Sequence, residues 1–158
     1  MSAKSQPDFE IISPVFRNGS PIPPQYTHIG QNVNPPLNIF SPPARTQSLA
    51  LYMHDPDAPS GDFCHWLMWD ITPRTESIAV NHVPVGAIQG VNDYGQPRYS
   101  GPAPPPGSGT HRYLFDFYAL DKSLNLPAGS DLDDFKKAIS NHVLGRCQLI
   151  GTFSATAV

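Results

Sequence analysis

The sequence predicts a mainly β domain whose strands form packed layers. Its 158 residues include 19 prolines and 12 glycines, so turns recur often and long helices have little room. Hydrophobic residues make up 39% of the chain and charged residues 15%, a balance typical of a folded chain with a core. Several segments are apolar at every second position or throughout, as half-buried and fully buried strands are. The length suits one domain, which we expect to span residues 1–158.

The first part of the chain is rich in proline, which limits its strands to short or edge positions. We expect an opening β-ribbon there, with turns at Asn18-Gly19 and around Gly30. The first strong strand pattern runs from residue 48 to 54, where Leu49, Leu51 and Met53 share one face. Asp55-Pro56 ends it and begins a loop.

Three later segments also predict strands. Residues 65–71 are apolar on both faces, as in a strand buried between two layers. Residues 111–120 alternate and place His111, Tyr113, Phe115 and Phe117 on one face. Residues 147–153 form a final strand that returns to the sheet.

One helix is predicted between the last two strands. Ser130 is a suitable N-cap, and three aspartates follow it at the positive end of the helix dipole. Apolar residues then recur at helical spacing up to Val143, and Gly145 is the expected stop.

Charge and cysteine content restrict the possible functions. Ten basic and thirteen acidic residues are scattered along the chain, so a nucleic-acid partner is not expected. No segment approaches the ~18 consecutive apolar residues of a membrane span, and residues 1–16 lack a secretion signal, so we expect a cytoplasmic protein. Cys64 and Cys147 lie far apart and outside any C-x-x-C spacing, which favours free buried thiols over a long-range disulfide.

Polar and special residues are concentrated in a few motifs. These are Asp55-Pro56-Asp57-Ala58-Pro59, His65-Trp66, Gly101-Pro102-Ala103-Pro104-Pro105 and Gly109-Thr110-His111-Arg112-Tyr113. In this order they resemble the signature of the phosphatidylethanolamine-binding proteins, also called Raf-kinase-inhibitor-like proteins, and most closely the bacterial and archaeal members. The similarity extends from about Gln25 to Phe153, with Asn34-Pro35-Pro36-Leu37 and Tyr118-Ala119-Leu120-Asp121 as further matches. Departures occur at Ile39, at Ala103 and in residues 106–109, and they affect the expected pocket rim.

The resemblance implies an antiparallel β-sandwich of Greek-key topology with one or two peripheral helices. It implies a pocket that binds phosphate or a phosphoethanolamine headgroup without catalysis or cofactor. Its lining, carried across motif by motif, would be Asp55, Asp57, Pro59, His65, His111 and Tyr113. A cis Ala58–Pro59 bond, a protein kinase or protease as a possible inhibited partner, and a homodimer are further implications.

The residue types suit this chemistry. Imidazole N–H groups of His65 and His111 and the phenol of Tyr113 can donate to anionic oxygens. A carboxylate would repel an anion, so we assign Asp55 the orientation of a histidine. Asp57 would do the same, accept from a ligand ammonium, or simply cap its turn. Arg112 points to the opposite face from its neighbours, where Asp116 is a candidate partner.

Two other functions are compatible with these residues. A hydrolase could use the histidines and aspartates as acid and base, or could hold a metal through His65, His111 and Asp55. Against it, no serine or cysteine lies in a recognisable nucleophile turn, and no local zinc-ligand spacing exists. A scaffold acting through its surface alone is the third possibility. The other four histidines, His28, His54, His82 and His142, lie outside the motifs and are interpreted as structural.

Overall fold

The computed structural model describes residues 7–155, and the prediction of a mainly β architecture is confirmed. The strands are β1 Glu10–Ile12, β2 Ser20–Pro21, β3 Leu37–Phe40, β4 Ser48–Asp55, β5 Phe63–Ile71, β6 Ser77–Ile78, β7 Ile88–Gln89, β8 His111–Leu120 and β9 Val143–Phe153. A short 3-10 helix covers Pro24–Tyr26, and α1 covers Leu132–Ile139.

The strands form two sheets. A three-stranded sheet has the order β1-β3-β6, and a six-stranded sheet has the order β2-β9-β8-β4-β5-β7. Pairing is antiparallel except between β2 and β9, which are parallel over two residues. The predicted opening ribbon is therefore wrong: β1 pairs with β3, while β2 joins the other sheet. Its two turns are present, closed by hydrogen bonds from Ser20 N to Arg17 O and from Gly30 N to Thr27 O.

The large sheet is covered on both faces, which explains why β4 and β5 are apolar on both. Between the two sheets lies the larger core, to which β8 contributes Tyr113, Phe115 and Phe117. On the outer face, Tyr52, Leu67 and Trp69 pack with Phe135 of α1. Both cysteines are free, as predicted, but only Cys64, which lies in this outer cluster, is buried as expected; Cys147 is half-buried.

A β-bulge in β5 lies next to the histidine of the H-W motif. Met53 pairs with Trp66 while His54 pairs with Cys64, so His65 is an extra residue in β5. A bulge redirects side chains, because the extra residue interrupts the strict alternation of faces. Cys64 consequently lies in the outer cluster and Trp66 in the core between the sheets, although both positions are even.

The helix differs from its prediction at both ends. Its N-cap is Asp131, which forms a reciprocal capping box with Asp134, while Ser130 instead donates its hydroxyl to Pro127 O. The helix ends at Ile139, and Asn141 adopts a left-handed conformation with φ of 68°. Val143 begins β9, and Gly145 lies within that strand. The helical spacing of Val143 is coincidental, since a positive-φ asparagine is sufficient to end a helix before it.

The described residues contain no cis peptide bond, so the cis Ala58–Pro59 bond implied by the resemblance is wrong. A hydrogen bond of 3.0 Å from Gly61 N to Ala58 O closes a four-residue turn there. Pro59 occupies the second position of this turn, where a trans proline with its fixed φ is favoured. The local geometry is thus satisfied without isomerisation.

Candidate functional site

The motif residues meet around a cavity of about 170 Å³ at the ends of the central strands of the large sheet. This is where β4 ends and where β5 and β8 begin, in three adjacent antiparallel strands. The lining residues are Asp55, Ala58, Pro59, Ser60, Phe63, His65, Tyr94, Ala103, Pro104, Pro105, His111 and Tyr113. Five of the six predicted site residues are among them, and Asp57 is not. We call this cavity the motif pocket.

Asp55 and His111 form a buried pair at the base of the pocket. His111 Nδ1 lies 2.6 Å from Asp55 Oδ2, and both side chains are at least 96% buried. The second carboxylate oxygen accepts a 2.7 Å hydrogen bond from the backbone N–H of Asp57. Because a carboxylate only accepts, Nδ1 of His111 carries a proton, and Nε2 is left for other partners. This geometry matches the orienting role assigned to Asp55.

His65 is held by the backbone of the facing loop. Its Nδ1 donates to Ser100 O at 2.6 Å, and the residue is only 3% exposed. Since a carbonyl oxygen cannot donate, Nδ1 is the protonated nitrogen, and Nε2 is the one that can meet a ligand. Burial lowers the pKa of His65, although the hydrogen bond to Ser100 acts in the opposite direction. His65 is therefore neutral at pH 7, with an accepting Nε2.

Tyr113 is fully buried, and its hydroxyl makes no hydrogen bond with residues 7–155. Its ring lies between those of His65 and His111, with centroids 5.4 and 6.4 Å away. Burial raises the pKa of Tyr113, and the charge of Asp55 adds to this effect. The hydroxyl thus stays protonated, and although the Asp55 carboxylate is close enough to contribute to the raised pKa, it does not lie in hydrogen-bond geometry with the hydroxyl.

Asp57 and Arg112 form a separate pair outside the pocket. The carboxylate of Asp57 accepts from Arg112 Nε, Nη2 and backbone N, each at 2.9 Å. Hydrogen bonding to Arg112 lowers the pKa of Asp57 to about 2. The predicted partnership of Arg112 with Asp116 is wrong, because Asp116 is bound by His54 and Gln148 on another part of β8. Asp57 ties the loop after β4 to the start of β8.

Proline and aromatic side chains form the rim. Pro59 lies in the turn described above, and Pro104 and Pro105 line the same cavity. Phe63 and Tyr94 complete the rim with an edge-to-face contact of 4.7 Å between centroids. Neither was predicted. Phe63 starts a strand two residues before His65, which is a usable signal, whereas Tyr94 lies in a glycine-rich loop without any pattern.

The surroundings of His54 were not predicted from the sequence. Its Nδ1 lies 2.7 Å from Asp62 Oδ1, and its Nε2 lies 2.7 Å from Asp116 Oδ2. Burial alone would lower the pKa of His54, but hydrogen bonds to both carboxylates outweigh it and raise the pKa. This network lies on the outer face of the sheet, stacked on Tyr52. It connects β4 and β8 to Asp62, the last residue of the loop between β4 and β5.

Within residues 7–155 no three His, Cys, Asp or Glu side chains are close enough to hold a metal ion. The described helices also include none with the length and apolarity needed to cross a bilayer.

Comparison with known proteins agrees with the motifs. The family model described as phosphatidylethanolamine-binding protein matches residues 12–154. A UPF0098 protein of Pyrococcus horikoshii is 41% identical over 148 residues, which are 90% of this chain and 75% of that protein. LppC of Mycobacterium tuberculosis, a relative with lipoprotein in its name, is 42% identical over 90% of this chain and 71% of its own length.

Solved structures share the fold. A homologue of phosphatidylethanolamine-binding protein from Chlamydia trachomatis superposes with a TM-score of 0.88 and 31% identity, covering 94% of this chain and 98% of its own. On the family model, these identities and the shared architecture, the chain belongs to the phosphatidylethanolamine-binding protein family.

Proposed function

We propose that this protein binds a small anionic group, a phosphate or a phosphorylated headgroup, in the motif pocket and does not transform it. The observation that carries the proposal is the hydroxyl of Tyr113, which is buried at the pocket and has no hydrogen-bond partner in the described chain. A buried donor without an acceptor costs about 1–3 kcal/mol. A ligand oxygen would supply the missing acceptor.

The electrostatics support an anion. Among residues 7–155, Asp55 is the one carboxylate that lines the pocket, and it is paired with His111, so an entering anion meets no free negative charge from this part of the chain. Ser108 contacts the other side of the His111 ring: its Oγ lies 2.7 Å from Pro105 O and 2.9 Å from His111 Nε2.

The Tyr113→Phe variant tests the proposal through two effects of opposite sign. Loss of a hydrogen bond to a charged ligand should weaken binding of inorganic phosphate by about 1.5–3 kcal/mol. The unliganded protein should be as stable as wild type or more stable, because the variant removes an unsatisfied buried hydroxyl. Calorimetric titration measures the first effect, and urea unfolding measures the second.

Tyr118→Phe is the matched control, because Tyr118 lies on the same strand but packs on the outer face near Phe135. It should leave phosphate binding unchanged. Equal phosphate affinity in wild type and Tyr113→Phe would contradict the proposal.

A serine hydrolase is the second candidate, and one arrangement favours it. Ser108 Oγ, His111 Nε2, His111 Nδ1 and Asp55 Oδ2 are connected by contacts of 2.9 and 2.6 Å, in the order of a nucleophile, base and orienting acid. Binding is preferred because Ser108 does not line the pocket and its hydroxyl also reaches Pro105 O. A fluorophosphonate probe decides: labelling that Ser108→Ala abolishes would establish the hydrolase.

We also propose, from the family resemblance, a cytoplasmic location and inhibition of a protein kinase or protease by the pocket end of the molecule. Cell fractionation tests the location. Inhibition assays with wild type and Tyr113→Phe test whether the pocket takes part.

A further inference from the structure

A second cavity, of about 290 Å³, adjoins the motif pocket and shares Tyr94 and Ala103 with it. We call it the side cavity. Its other lining residues are His28, Asn32, Gln96, Arg98, Ser100 and Gly101. A ligand anchored in the motif pocket meets this cavity on passing Tyr94. The residues that line the side cavity therefore influence which chemical groups the rest of the ligand can carry.

The side cavity is built by a network of hydrogen bonds. Residues 26–32 are held against 99–102 by bonds from Tyr99 Oη to Tyr26 O at 2.6 Å and from Gly101 N to Asn32 Oδ1 at 2.7 Å. His28 N and Nδ1 both donate to Pro102 O, at 3.0 and 2.9 Å. Gly101 allows this close approach, because a Cβ there would collide with the carbonyl oxygen of Tyr26.

The opposite wall is organised by one buried amide. Asn92 is 3% exposed, and its side chain donates to Arg98 O at 2.8 Å and accepts from Tyr94 N and Gln96 N at 2.9 and 3.1 Å. The loop that carries Tyr94, Gln96 and Arg98 is thereby fixed at both ends. Such preorganisation reduces the ordering cost of binding.

The charge of the side cavity has one sign. None of the described residues that line it is acidic, and the guanidinium of Arg98 makes no ion pair within residues 7–155. Arginine stays charged at every working pH and offers a fork of donors that fits carboxylate or phosphate oxygens. Amide donors of Gln96 and Asn32 border it. An ammonium placed here would be repelled.

We propose that the side cavity is a second anion subsite centred on Arg98, so that the preferred ligand carries a carboxylate or second phosphate beside the group held in the motif pocket. The inference rests on the proposed function and sharpens it. Among phosphorylated headgroups it selects a serine-type one over an ethanolamine-type one. The two differ by a single carboxylate, since both carry an ammonium.

The test compares inorganic phosphate, O-phosphoethanolamine and O-phosphoserine by calorimetric titration at low ionic strength, where exposed charges are least screened. Wild type should bind phosphoserine about fivefold more tightly than phosphoethanolamine, as expected for an ion pair with an exposed arginine. Arg98→Gln should remove this preference and leave inorganic phosphate unaffected. Arg74→Gln, which removes the same charge from an exposed site lined by different residues, should retain the preference.

The outcomes separate the two proposals. Equal affinities for phosphoserine and phosphoethanolamine in wild type, or a preference that survives in Arg98→Gln, would overturn the subsite while phosphate binding still supports the motif pocket. Failure of all three compounds to bind would overturn both.

Discussion

At the scale of single residues, the site depends on which ring nitrogen of each histidine is hydrogen-bonded to the protein. Both histidines donate a hydrogen bond from Nδ1, His111 to the carboxylate of Asp55 and His65 to the backbone carbonyl of Ser100. The carboxylate fixes the orientation of the His111 ring, while burial beside a neutral carbonyl disfavours a charged His65. Two histidines that look alike in the motifs therefore have different electrostatic roles.

This difference predicts a pH dependence of sulfate binding. Burial lowers the pKa of His65 below its usual value near 6.5, so the ring gains its proton only in more acid solution. Protonation adds an Nε2–H donor and a positive charge, so affinity should be flat above about pH 6.5 and rise as the pH falls below it. Sulfate keeps its own charge over this range, and titrations at several pH values measure the effect.

His65→Gln should abolish the acid increase. His142→Gln, at an exposed position paired with Asp121, should preserve it. Sulfate affinity that stays flat below about pH 6.5 in wild type, or an acid increase that persists in His65→Gln, would contradict this role of His65.

At the scale of elements, ion pairs attach loops to the sheet. Arg112 holds the loop after β4 through Asp57, and His54 holds the far end of that loop through Asp62. The rim residues Ala58, Pro59 and Ser60 lie between these two attachments. The loop that forms one wall of the pocket is thus fixed at both ends by charge-assisted hydrogen bonds.

The His54 network predicts a stability maximum in mildly acid solution. The raised pKa of His54 contributes stability that is complete below its unfolded value, about 6.5, and is lost as the pH rises through the folded pKa. The pKa of Asp116 is lowered, since hydrogen bonds from His54 and Gln148 outweigh burial. Its contribution is complete above about 3.9 and is lost on acidification.

Urea unfolding from pH 4 to 9 tests this expectation. His54→Gln should cost on the order of 3 kcal/mol near pH 5.5, because two carboxylates lose their partner, and the cost should shrink at alkaline pH. Asp62→Asn should cost less, because 46% of the Asp62 side chain is exposed. A cost of His54→Gln that is the same at pH 5.5 and pH 9 would contradict a charged His54.

At the scale of the whole molecule, the two sheets place the pocket where three long strands begin or end. The central strands β4, β5 and β8 of the large sheet are largely buried on both faces, so they form a firm support for the loops at their ends. Ligand binding at these strand ends should therefore stabilise the entire fold. The binding free energy is linked to unfolding because the unfolded chain has no assembled pocket.

Phosphate at ten times its dissociation constant should add about 1.4 kcal/mol to the stability, which raises Tm by about 3–5 °C for a chain of this size. Scanning calorimetry measures the shift, with chloride at equal ionic strength as the control. In Tyr113→Phe the shift at the same phosphate concentration should largely disappear. Equal shifts in phosphate and chloride would indicate a general salt effect instead.

Local patterns in the sequence were sufficient for the mainly β class, the long strands, the free thiols and the shared face of His111 and Tyr113. These features follow from periodicity and short motifs, which act between near neighbours. Only the tertiary structure decided the bulge at His65, the pairing of Arg112 with Asp57 and the meeting of Arg98 with residues 28–32 in the side cavity. Partners such as Arg112 and Asp57 are 55 residues apart, and their contact depends on how strands and loops pack, which no local pattern encodes.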